Sequence, residues 1–135
     1  MNTRPMLTAD DVKRIAAAAE REALSNGWAV TIAICDDGGH LLALQRLDGA
    51  APISAQIASH KARTAAIGRR ESKVYEDMIN GGRAAFLSAP GVEGLLEGGV
   101  PITAEGHVVG AVGVSGVKAA EDAQIAKAGV AALGA

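Results

Sequence analysis

The residues of this 135-residue chain whose types and spacing could do chemistry are three histidines, one lysine on an alanine-rich helix, and two glycine-rich stretches. His40, His60 and His107 are the nitrogen donors, but no two stand at a spacing that makes a preformed metal cluster, so no metal site is expected. On a helix advancing about 100° per residue, Ala55, Ala58, Ala62 and Ala65 gather on one side, the side that should pack against a sheet. His60 points nearly opposite, toward solvent or a subunit interface. Lys61 falls about 90° from the centre of the alanine face, at the border between core and rim, where its stem can be buried while the ammonium reaches a cleft. Such a cation can bind a carboxylate, serve as a base if its pKa is lowered, or form a salt bridge to Asp48 or Glu121. Gly98-Gly99 and Ser115-Gly116 expose backbone amides, and the Ser115 hydroxyl adds a polar group; together they suit a small anionic or carbonyl ligand, or else simply serve turns. Neither stretch makes GxGxxG or GxxxxGK[ST], so nucleotide phosphate has no motif behind it.

The elements that must position these residues follow from patterning. Thr8-Ala9-Asp10-Asp11 resembles a capping box and leads into Val12, Ile15, Ala16, Ala19 and Ala23 at helical spacing, with Gly27 as the stop. Trp28 to Cys35 is rich in β-branched residues, Asp36-Asp37-Gly38-Gly39 supplies a turn, and His40 to Leu44 resumes an apolar run, which together read as a hairpin. Ser54 to Arg70 reads as a helix, and Val74 to Ile79 with Ala84 to Leu87 as one or two shorter ones, ended by Pro90-Gly91. A second hairpin joins Val100-Pro101-Ile102, where the proline marks a strand start or edge, to His107–Ser115 through Glu105-Gly106. In that last strand Val108, Gly110, Val112 and Val114 alternate with Val109, Ala111, Gly113 and Ser115, and so much glycine implies a backbone or ligand lying close. Glu121 to Leu133 closes the chain as a helix. Strands joined by tight turns pair antiparallel, so the fold class is α+β: a central antiparallel sheet covered by helices, in one domain spanning residues 1–135.

Composition narrows the function classes. Thirteen basic and fifteen acidic residues give a formal charge of −2 with no like-charge run, which argues against nucleic acid. No apolar run spans a bilayer and Met1 to Pro5 lacks a signal-peptide h-region, so the expectation is a cytoplasmic protein without a membrane partner. The apolar share is 49% but only Trp28, Tyr75 and Phe86 are aromatic, so the core must be Ala, Val, Ile and Leu. Cys35, the single cysteine, reads as a small buried apolar residue. Apolar surface on the helix face with Ile57 and on the last helix exceeds what one small sheet covers, which points to a homo-oligomer.

Four local motifs occur in order along this framework. Asp36-Asp37-Gly38-Gly39-His40-Leu41 with Arg46-Leu47-Asp48-Gly49-Ala50, the segment Lys61-Ala62-Arg63-Thr64-Ala65, the run Gly98-Gly99-Val100-Pro101-Ile102, and Val109 to Gly116 followed by Asp122 resemble the signatures of the GlcG/HbpS-like haem-binding family. The resemblance covers about residues 7 to 133. It implies a profilin-like or PAS-like fold with a sheet of about five strands, assembly into homo-oligomers, and haem binding, sensing or degradation in several members. It also extends to the C-terminal domain of some corrinoid adenosyltransferases, and one fold here carries several functions.

The resulting expectation is a haem- or small-ligand-binding protein working as a homo-oligomer. Its axial candidates are His60 and His40, with Tyr75 and Met78 as weaker donors, and without CxxCH any haem is held with no thioether bond. Its ligand-binding set is Lys61, Gly98, Gly99, Pro101, Ser115 and Gly116. One alternative is a cofactor-independent enzyme of small organic acid or aromatic catabolism, with Lys61 or Arg46 holding the substrate carboxylate while a histidine moves a proton. Another is an accessory or scaffold subunit. The scarcity of aromatics counts against haem, since flat apolar slots are often lined by them.

Overall fold

The structure, a computed structural model, describes residues 1–134. Its elements are α1 (Ala9–Ser25), β1 (Thr31–Asp36), β2 (Leu41–Arg46), α2 (Ile53–Gly68), α3 (Ser72–Asn80), a 3₁₀ turn (Ala84–Ser88), β3 (Gly99–Ala104), β4 (His107–Ser115) and α4 (Ala119–Gly134). The strands form one antiparallel sheet in the order β2-β1-β4-β3. There are four strands rather than about five. The stretch with room for a fifth, residues 84–98, is broken by Pro90 and by Gly91, Gly94 and Gly98, all at positive φ, so it runs as a turn and an irregular segment.

Local chemistry sets the boundaries. The Thr8 hydroxyl accepts from the Asp11 amide at 3.1 Å while the Asp11 carboxylate accepts from the Thr8 amide at 2.9 Å, a reciprocal cap on α1. In the first hairpin one Asp36 oxygen accepts from the amides of Gly38 and His40, each at 2.9 Å, and Gly39 takes φ +82°. In the second, Glu105 and Gly106 both have positive φ, as a two-residue turn matching strand twist requires.

The sheet is covered unequally on its two faces. Helices α1 and α4 bury Ile15, Ile32, Ile34, Ile102, Val112, Val114 and Ile125, each contributing roughly 1.5–3 kcal/mol. On the other face α2 meets Ala33, Cys35 and Ala111 with Ala58, Ala62 and Ala65, so the alanine stripe is the sheet-facing side, as its spacing requires. A Cβ at Gly113 would run into the Ala58 carbonyl oxygen and the Ala62 amide. The close neighbour implied by the glycines of β4 is thus the backbone of α2 at Gly113, and the Cys35 carbonyl with Leu7 at Gly110. The alternation read for β4 holds from Gly110 onward. A bulge opposite Ile102 and Thr103 turns Val109 to the α1/α4 side, where it is buried.

Among the described residues, no helix is long and apolar enough to cross a membrane, and no group of three or more His, Cys, Asp or Glu could hold a metal ion. Cys35 is buried, and burial pushes its thiol up to about 12.

Candidate ligand-binding site

Lys61 lies inside the protein rather than at its rim. It is 3% exposed, and its ammonium donates to Asp122 Oδ2 at 3.0 Å and to the Val114 carbonyl at 2.9 Å. Asp122 in turn accepts from the Val117 amide at 3.1 Å. The partner is therefore Asp122, at the start of α4, and neither Asp48 nor Glu121. Helical geometry misplaced the lysine because the chain after α3 closes over it: a Cβ at Gly98 would lie 2.8 Å from Lys61 Nζ, and one at Gly99 would strike the Lys61 carbonyl. Burial lifts the Asp122 carboxyl above the ordinary carboxylate range, while the Lys61 ammonium and the Val117 amide pull it back.

Gly98 and Gly116 have positive φ, and a side chain at Gly116 would meet the Ala29 carbonyl. Ser115 is buried and pairs with Thr31 across the sheet, whose hydroxyl lies 2.7 Å from the Ser54 hydroxyl of α2. Pro101 sits half-buried on edge strand β3, as its ring predicts. Arg46 ends the opposite edge strand and borders a separate hollow with Trp28, Glu20 and Asp48.

The histidines differ in setting. His40 is 82% exposed at the first hairpin turn, with Nδ1 at 3.2 Å from Asp36 Oδ1. Partial burial works to raise the Asp36 carboxyl, and the amides of His40 and Gly38 outweigh it, leaving the group below its ordinary value. His107 is exposed at the second hairpin. His60 stands half-buried on α2, away from the alanine face, with Nε2 at 3.3 Å from Glu93 Oε2.

Beside His60 opens the feature that sequence reasoning missed. A cleft of about 400 Å³ runs between α3 and the segment 92–96, walled by Ile79, Leu87, Val92, Leu95 and Leu96, with Glu76 and Glu93 at its margin. Side chains of α2 and α3 pin its far wall. The Thr64 hydroxyl donates to the Glu93 carbonyl, the Ser72 hydroxyl donates to the Leu96 carbonyl, and Glu76 accepts from the Glu97 amide at 3.1 Å. Gly94 lies so close to the His60 backbone that no side chain fits between them. Tyr75 and Phe86 stack at 5.0 Å between ring centroids, tying α3 to the 3₁₀ turn that carries Leu87. The available signal was the apolar residues of 86–96, which have neither helical nor strand period, combined with two glycines.

The family model described as "Haem degrading protein HbpS-like" matches residues 7–131. The chain belongs to the HbpS-like family. It is 55% identical over 115 residues to Protein GlcG of Escherichia coli strain K12, covering 85% of each chain. Among solved structures it is similar to HbpS of Streptomyces reticuli in a double-mutant form, at TM-score 0.90 and 34% identity, covering 100% of this chain and 92% of that one. It is also similar to the PduOC:heme complex, at TM-score 0.83 and 25% identity, covering 95% of each.

Proposed function

We propose that the protein binds haem, or a similarly flat apolar acid, in the cleft between α3 and the 92–96 segment, and that it works as a homo-oligomer in the cytoplasm. The observation that carries this reading is the apolar cleft itself, at whose margin Glu93 lies 3.3 Å from Nε2 of His60, a histidine that borders the cleft without lining it. Leu87, Leu95, Leu96 and Ile79 offer an apolar wall for a macrocycle, and the His60 imidazole, a donor able to hold haem iron, would leave Glu93 and turn toward the cleft to do so. The margin offers Glu76 and Glu93 rather than cations, so the propionates belong at the solvent side. When bound, haem would supply an iron with redox and gas-binding chemistry. The chain's part is to hold it through His60, exclude water from one ring face, and present Glu93 within reach of the same imidazole. Family membership, with a relative solved as a heme complex, supports the assignment.

Lys61, Gly98, Gly99, Pro101, Ser115 and Gly116 are assigned a structural role here, because Lys61 and Ser115 are buried, with Lys61 held by Asp122, backbone lies against Gly98, Gly99 and Gly116, and Pro101 sits on the edge strand. The cofactor-independent enzyme reading needs Lys61 or Arg46 to face a substrate beside a histidine. Lys61 is committed to Asp122, and the hollow bordered by Arg46 contains no histidine.

Hemin titration followed by absorbance tests the proposal. A saturable Soret band is expected for the wild type, weakened and shifted in His60→Ala and unchanged in His40→Ala. No Soret band in the wild type, or a band indifferent to His60→Ala, overturns it.

A further inference from the structure

The hollow bordered by Arg46 shares no residue with the cleft beside α3. Its volume is about 470 Å³, within the roughly 300–1,000 Å³ of small-molecule sites, and Glu20, Leu24, Trp28, Arg46, Leu47 and Asp48 line it. The fold makes these residues converge. The Leu47 amide donates to the Val30 carbonyl at 2.9 Å and the Leu47 side chain is buried, so Arg46 and Asp48 on either side of it both turn outward to the hollow. Gly49, at φ +87°, then turns the chain, and the Ala50 amide donates back to the Leu47 carbonyl at 3.2 Å, which fixes the backbone that carries Asp48. The facing wall is the end of α1, where Glu20 and Leu24 stand one turn apart. After Gly27, at φ +70°, the Trp28 amide donates to the Ala23 carbonyl at 2.9 Å, and this capping turn holds Trp28 half-buried at the hollow.

The charges around the hollow are of both signs and are not paired with one another. Among the described residues Arg46 and Asp48 make no ion pair or side-chain hydrogen bond, and Glu20 meets only the Gln45 side-chain amide, at 3.5 Å. The last turn of α1 carries no basic residue, so the negative end of its dipole adds to the two carboxylates. An anion drawn to Arg46 would meet Glu20 and Asp48, and a cation drawn to the carboxylates would meet Arg46. A molecule with one charge of each sign satisfies both. The Trp28 indole and two leucines supply apolar surface for its side group.

We propose that this hollow binds a small zwitterion of the amino-acid class, with its carboxylate on Arg46, its ammonium between Glu20 and Asp48, and an apolar side group against Trp28 and Leu24. The planar fork of Arg46 suits a carboxylate because its donors can hold both oxygens. An ammonium beside two carboxylates and an indole gains from charge and ring together. The site needs neither haem nor the cleft at α3.

Trp28 is the only tryptophan, so its fluorescence reports on the hollow directly. Titration of the wild type with L-leucine or L-phenylalanine is expected to change the emission saturably in the millimolar range or below, with calorimetry giving the same Kd. Phenethylamine, which lacks the carboxylate, and N-acetyl-L-phenylalanine, which lacks the ammonium, are expected to bind at least about tenfold more weakly than L-phenylalanine, the loss of one charged contact. Arg46→Gln and Asp48→Asn are expected to weaken both amino acids by a similar factor with the circular dichroism unchanged, and His60→Ala to leave their binding intact. No saturable response to either amino acid overturns the site. Full-strength binding of either analogue overturns the zwitterion class, and binding unchanged in Arg46→Gln overturns the assignment to this hollow.

Discussion

Replacing Lys61 by methionine separates a structural lysine from a ligand-binding one. Methionine keeps most of the stem's volume and removes the ammonium, so Asp122 loses its 3.0 Å partner and the Val114 carbonyl loses a 2.9 Å donor. Both side chains of the pair are at most 4% exposed, so water cannot replace the lost contacts. Breaking one side of a buried pair costs about 3–5 kcal/mol, a large share of the roughly 5–15 kcal/mol that holds a domain together. For a chain of this size that is a fall in Tm of about 10–20 °C. The loss should be smaller at acid pH, where Asp122, already lifted by burial, is neutral in the variant and no longer an unpaired charge. Adding Asp122→Leu to Lys61→Met should restore much of the stability, because an apolar pair of similar volume is often no worse than a buried ion pair. Calorimetry on the three variants, with hemin titration below their transitions, reads both quantities. An unchanged Tm in Lys61→Met, or loss of hemin binding at wild-type stability, would refute the structural assignment.

Other consequences follow from single contacts. Gly113→Ala forces α2 off β4 and should cost about 3 kcal/mol or more in urea unfolding. Thr8→Ala removes half of a reciprocal cap and should cost about 1 kcal/mol. The Cys35 thiol sits at about 12 in the fold against an ordinary value of 9.0, so the unfolded chain releases its proton first. The stability contributed by Cys35 is full below pH 9 and falls by about 1.4 kcal/mol per pH unit from there toward pH 12. The stability difference between wild type and Cys35→Ala, measured across that range, should show this slope, and a thiol reagent should label Cys35 only on unfolding.

Much of the fold was legible because local signals and global packing agree. The Thr8 cap, the turns at Gly38-Gly39 and Glu105-Gly106, and the alanine stripe of α2 each report a constraint satisfied within a few residues. The glycines of β4 were correctly read as a close approach, and a single sequence did not distinguish a ligand from the helix that lies there. Lys61 was misplaced for a related reason. Helical angle gives its direction from α2, but its burial depends on residues 98–99 and 122, which come from elsewhere in the chain. The cleft was missed because its walls come from α3 and an irregular segment, held in place by Thr64, Ser72 and Glu76 across 20 or more residues of sequence. His60 kept its predicted orientation, away from the alanine face, because that prediction required only the helix itself.

The central claim is that the ligand site lies between α3 and the 92–96 segment rather than at the buried lysine and its glycines. The most direct test is a crystal structure of the protein grown with hemin. The expected result is density for the macrocycle against Leu87, Leu95 and Leu96 with the iron facing His60. Macrocycle density seated over Gly98, Gly99 and Ser115, with Lys61 turned out to meet a propionate, would contradict it.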